Sequence, residues 1–159
     1  MLKAQSEFVA SDIQAAETIL EANEIARETP KFLLPLGLAL AARITRDPRE
    51  RAVALTEGEA ILAAGAVSHN YVFFNRYAID ACIAAEDWAG TERYAAALER
   101  SMAAEPIPMT DFLVARARAI AAVGRGHKEE GELRRLLTEA NRTGWRVVIP
   151  SLEAALTGR

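Results

Sequence analysis

SHNYVFFNRYAIDAC at residues 68–82 and PMTDFLVARARAIAA at residues 108–122 lie forty residues apart and match column by column. Val72 falls on Phe112, Phe73 on Leu113, Phe74 on Val114, Arg76 on Arg116 and Ala81 on Ala121. A third stretch, forty residues earlier at 28–42, adds Phe32, Leu33, Leu34 and Ala41 to the same columns. Self-similarity at this period marks helical hairpins that stack, because one hairpin cannot bury its apolar face alone.

Outward from these stretches, the breaks divide the chain into helices. A long helix over 6–28 stops at Thr29-Pro30, and the next spans 31–45, with Pro35 tolerated in its first turn. Asp47 caps a third helix, with Pro48 at its first position and Glu50 three residues after the cap; Gly65 ends it. Ser68 or Asn70 opens a helix through Ala85, and Glu86-Asp87 makes a tight corner, with Asp87 as cap and Trp88 as first helical residue. Pro106 and Pro108 break the chain before Thr110 caps a helix to Val123. Gly124-Arg125-Gly126 turns it into another from Lys128 to Asn141, which Gly144 ends. Leu133, Leu136, Leu137 and Ala140 form an apolar stripe on that helix. The β-branched run from Arg146 to Ile149 is too short for a sheet.

The expectation is an all-α fold, a single helical-repeat domain over 1–159, arranged as an α-α superhelix of about eight antiparallel-paired helices. Its hairpins span 31–64, 70–104 and 110–142, with half hairpins at 6–28 and 151–157. A half hairpin at each end reads as a piece of a longer array.

Composition narrows the function classes. A net charge of −3 gives no general attraction to nucleic acid or to an anionic membrane. Between Thr110 and Val148, however, eight bases face five acids, a local +3. An ordinary solvated helix face accounts for it. Cys82 is the single cysteine, so no internal disulfide and no cysteine-based metal site is expected. Its neighbours Ile79, Ala81, Ile83 and Ala84 make it a buried, reduced thiol. The apolar run Leu33–Ala42 is too short to cross a bilayer and is closed by Arg43. The chain is expected to be soluble and cytoplasmic, without membrane contact.

The columns, with Glu86-Asp87-Trp88, Arg93–Glu99, Ile107–Gly126 and the tail Leu152–Leu156, resemble the tetratricopeptide-repeat superfamily in a degenerate, longer-period form. They are similar to the C-terminal repeats of multidomain bacterial proteins that carry an adenylate or guanylate cyclase domain or a transcriptional-regulator domain. The likeness covers roughly Leu55–Leu156. The spacing exceeds thirty-four residues, no tryptophan marks each first helix, and the glycine column is broken. The resemblance implies a regulatory interaction or scaffolding module of a bacterial signalling protein. There is no Gly-x-x-x-x-Gly-Lys-Ser/Thr loop.

Arg76 and Arg116 interrupt apolar first helices at the same place, and first helices line the groove of such an array. Two guanidiniums one repeat apart suit a carboxylate or phosphate. The structural alternative pairs Arg76 with Asp80 at i, i+4, and Arg116 with Asp111 or Glu92. Asn75 and Tyr71 join Arg76, Asp80 and Arg116 as groove candidates, while capping and hydrogen bonding account for His69, Asn70, Tyr71 and Asn75. No catalytic residue, metal or cofactor is expected, since neither Gly-x-Ser-x-Gly nor a metal-ligand cluster occurs. Trp88 is expected to wedge between hairpins and Trp145 to pin the last helix. If uncovered, Trp145 would form an apolar patch with Val147, Val148 and Ile149 that suits a homodimer through the terminal helices. The expected partner is a protein or peptide segment, or other domains of a larger parent. The other reading is a small anionic ligand or nucleic acid on Arg76 and Arg116 or on the basic 110–148 surface.

Overall fold

The computed structural model describes residues 18, 19, 21–25 and 33–158, and all regular structure among them is helical. Residues 18–19 and 21–25 are helical, while the rest of the helix expected over 6–28 lies outside the described residues. Seven α-helices follow: α1 (Leu34–Ile44), α2 (Pro48–Ala63), α3 (Ser68–Ala84), α4 (Trp88–Ser101), α5 (Pro108–Gly124), α6 (Glu130–Thr143) and α7 (Ile149–Thr157). The β-branched run Arg146–Val148 is a single 3-10 turn entering α7.

Local chemistry explains most of the boundaries. Asp47 Oδ1 accepts from the Arg49 N–H at 2.7 Å and Asp87 Oδ1 from the Gly90 N–H at 2.9 Å, so α2 and α4 begin at the expected caps. One expected cap is corrected. α5 starts at Pro108 after Ile107, because proline's fixed φ and missing N–H suit a first turn. Thr110 lies inside that turn, buried, its hydroxyl donating to the Ile107 carbonyl at 2.8 Å. Of the two expected openings of α3, Ser68 is the one found, after Val67, which offers no side-chain cap.

The corners after α3 and α5 repeat one hydrogen-bond frame at the forty-residue spacing. The Asp87 N–H donates to the Cys82 carbonyl at 2.9 Å, and the His127 N–H to the Ala122 carbonyl at 3.0 Å. The residue before each donor is left-handed: Glu86 has φ 55° and Gly126 has φ 87°. This is the glycine-favouring helix stop, and Glu86 fills it without a glycine.

Each helix packs on its neighbour in the chain, α1, α3, α5 and α7 also pack each on the next of that set, and among the described residues no helix touches one farther away. α1 is covered by α2 and α3, which is why Leu34–Leu40 are all buried. α3 lies along α1 and touches α5 less extensively. α6 rests on α7 more than on α5. One continuous core runs through the stack, from Ile19 and Leu40 through Phe74, Ile79 and Leu98 to Leu133, Leu136 and Leu152. The tryptophans lock the corners. The Trp88 ring lies where a Cβ on Gly124 would sit, and Trp145 meets Phe112 edge-on at 4.7 Å between centroids. With Trp145 half-buried and Val148 buried, the apolar patch expected at this end reduces to the exposed Val147 and the half-buried Ile149.

Two predictions follow from the corners. Glu86→Gly relieves a left-handed glutamate and raises unfolding stability by about 0.5–1 kcal/mol, after allowing for the greater freedom of glycine in the unfolded chain. A Cβ on Gly126 meets nothing within 4 Å, so Gly126→Ala costs only its backbone strain, about 1 kcal/mol. Urea titration of both variants checks the pair, and equal stabilities would contradict the shared frame. A further prediction concerns Cys82, whose thiol is pushed from 9.0 up to about 12 by burial, with Asp87 adding to the rise. The unfolded thiol therefore ionises first, and its contribution to stability is lost as pH climbs from 9 towards 12. Cys82→Ala should make that alkaline fall shallower in denaturant titrations at stepped pH.

Candidate functional site

The helical period places Arg76, Tyr77, Asp80, Ile83 and Ala84 on one face of α3, and Met109, Leu113, Arg116, Ile120 and Val123 on one face of α5. Ser151, Ala154 and Ala155 do the same on α7. These three faces line one cleft of about 1200 Å³, with Trp88, Trp145 and Val147 at its edges. Along this side α3 touches α5 less extensively than it touches α1.

Arg116 sits at its base, 2% exposed. Its Nη2 donates to Asp80 Oδ1 on α3 at 2.7 Å and to Ser151 Oγ on α7 at 2.8 Å, and its Nε donates to the same Oγ at 3.0 Å. Ser151 in turn donates its proton to the Val148 carbonyl at 2.8 Å. One guanidinium thus joins three alternate helices, α3, α5 and α7. Nη1 of Arg116 is buried with no hydrogen-bond partner among the described residues.

Arg76, its repeat equivalent, has a different fate. It lines the cleft half-buried, with its guanidinium carbon 5.1 Å from the Tyr77 ring centroid, and its buried Nε has no partner among the described residues. The column containing Asp80 explains the difference. It reads Leu40, Asp80, Ile120, so the helix preceding Arg116 offers a carboxylate and the helix preceding Arg76 offers a buried leucine. The carboxylate on Arg116 is therefore Asp80, not Asp111 or Glu92, and among the described residues no ion pair within 4.0 Å joins Arg76 to Asp80.

Tyr71 and Asn75 are not brought to this cleft. They line a second hollow of about 570 Å³ among α2, α3 and α4. Tyr71 donates to the Leu62 carbonyl at 2.9 Å, and Asn75 Nδ2 to the Tyr71 carbonyl at 2.7 Å. Tyr94 there donates to Glu59 Oε1 at 2.6 Å and accepts from Arg93 Nη2 at 3.0 Å. Burial, then the Glu59 bond, pushes the Tyr94 hydroxyl well above its usual range.

The basic 110–148 surface is largely neutralised. Arg118 pairs with Glu99 at 2.7 Å, Arg125 with Glu92 at 3.5 Å and Arg135 with both Glu132 and Glu139, while Arg134 pairs with Glu130. Among the described residues no group of three or more His, Cys, Asp or Glu is placed to hold a metal, and no helix is long and apolar enough to cross a membrane.

Ser151 and Tyr77 enter the site without having been singled out from sequence. For Ser151 the signal is its offset: it follows Arg116 by 35 residues, as Arg116 follows Asp80 by 36. No family model, curated protein or solved structure matches this chain.

The pair predicts an asymmetry between single and double variants. Arg116→Ala leaves Asp80 buried without its cation and costs about 3 kcal/mol. Arg116→Met combined with Asp80→Leu restores most of that stability, because an apolar pair of similar volume is tolerated where a lone charge is not. Equal losses in the single and double variants, read by chemical denaturation, would show that the pair is not the linkage.

Proposed function

We propose that this chain is a non-catalytic interaction module: a tetratricopeptide-like solenoid whose first helices α3, α5 and α7 offer a common face to a partner. The partner is a protein segment or a neighbouring domain of a larger parent, in the regulatory part of a bacterial signalling protein. The setting is the cytoplasm, where a lone thiol such as Cys82 stays reduced.

The observation that carries this reading is the packing order. Among the described residues, contacts run only to the next helix and the next but one, and one face each of α3, α5 and α7 opens onto a single cleft. Stacked repeats that leave one face of successive first helices accessible are suited to extended binding surfaces. The polar chemistry in the cleft favours binding over catalysis. Ser151 is engaged by Arg116 and by the Val148 carbonyl, so its hydroxyl is held as a structural bridge. Arg76 retains a guanidinium against an apolar wall, which fits a segment that presents an acidic group beside a large apolar side chain.

The test is affinity capture from the source cytoplasm with the intact chain as bait, followed by titration of the captured protein. Arg76→Glu should weaken its binding about tenfold or more, the scale of a charge-assisted contact turned repulsive. Arg134→Glu, on the solvent face of α6, should leave it unchanged. A partner that ignores Arg76→Glu, or the absence of any saturable partner, would contradict the reading.

A further inference from the structure

A buried guanidinium, Arg116, and a half-buried one, Arg76, line the cleft, and one carboxylate, Asp80, pairs with Arg116 alone. Asp80, one helical turn from Arg76 on α3, gives Oδ1 to Arg116. That leaves Nη1 of Arg116 and Nε of Arg76 as buried N–H donors with no acceptor among the described residues. A buried donor without an acceptor is costly, and an arriving oxyanion removes that cost while balancing the excess positive charge. Arg116 is 2% exposed and fixed from two sides, so it is a preorganised donor.

The walls define the rest of the ligand. Leu113, Ile120 and Val123 from α5, with Trp88 and Trp145 at the edges, make the surroundings of these cations predominantly apolar. A bare inorganic anion would leave that surface wet. An apolar molecule alone would leave the donors unsatisfied. A ligand that answers both has a carboxylate at one end and an apolar body at the other.

We propose that the cleft binds a small amphipathic carboxylate, its carboxylate on Arg76 and, after a small side-chain displacement, on Nη1 of Arg116, its apolar body against the α5 wall. This goes beyond the protein-partner reading and needs no partner to be tested. Both tryptophans of the chain line the cleft, so intrinsic fluorescence reports directly on occupancy.

The probes are sub-micellar decanoate, decanol and acetate, titrated into the purified chain by tryptophan fluorescence and calorimetry. Decanoate should bind saturably and about tenfold tighter than decanol, the scale of one charge-assisted hydrogen bond, with no measurable acetate binding. Arg76→Gln should lower the decanoate affinity about tenfold and leave decanol unchanged. Arg76→Lys, which keeps the charge and loses the planar fork, should fall between them. Circular dichroism confirms that each variant is folded. Equal affinity for decanoate and decanol, no decanoate binding, or an Arg76→Gln variant that binds decanoate as the parent does would overturn the proposal. Each of these outcomes leaves the partner-capture result standing on its own.

Discussion

A single buried guanidinium sets the geometry on which the rest of this structure depends. α3 and α5 touch only locally, so apolar packing alone leaves their separation loosely defined. Arg116 closes that gap with a hydrogen bond to Asp80 on one side and two to Ser151 on the other. Arginine is the residue for this task, because its rigid planar fork addresses two directions at once and cannot lose its proton. Ionic bridges of this kind add little net stability compared with a well-packed apolar substitute. What this one does is tie α3, α5 and α7 to one another at the base of the cleft.

The two arginines that align in sequence show how a repeat differentiates its sites by failing to repeat. Arg76 and Arg116 share a column, yet one is buried and ion-paired between helices and the other stands against Tyr77 at the cleft wall. The cause is one position, where Leu40, Asp80 and Ile120 replace one another. The carboxylate in the middle repeat neutralises the arginine that follows it and leaves the one that precedes it available.

Much of the architecture was legible in the residues. The forty-residue columns, the caps at Asp47 and Asp87 and the corner at Gly126 locate the helices to within a few residues, because these signals are local and backbone-driven. Thr110 misled for a local reason too: Pro108 competes for the same helix start and wins through its fixed φ. The site was less legible. Asn75 and Tyr71 share a helix with Arg76, but the helical turn carries them to another face, where they serve backbone carbonyls. Asp80 lies one turn from Arg76, and local spacing therefore favours that pair. Only the packing of α5 against α3 reveals that the carboxylate faces the next repeat.

The restriction of helix contacts to near neighbours in the chain has a consequence for how the molecule comes together. The Asp80–Arg116 and Arg116–Ser151 bridges close spans of only 36 and 35 residues. The entropy lost in closing such loops grows only logarithmically with their length. Folding can therefore begin at any one helix pair and spread outward, each added pair finding a template already in place. Assembly of this kind is fast and needs no late docking of distant segments. Wherever it begins, the cleft acquires its third wall only once α7 is in place.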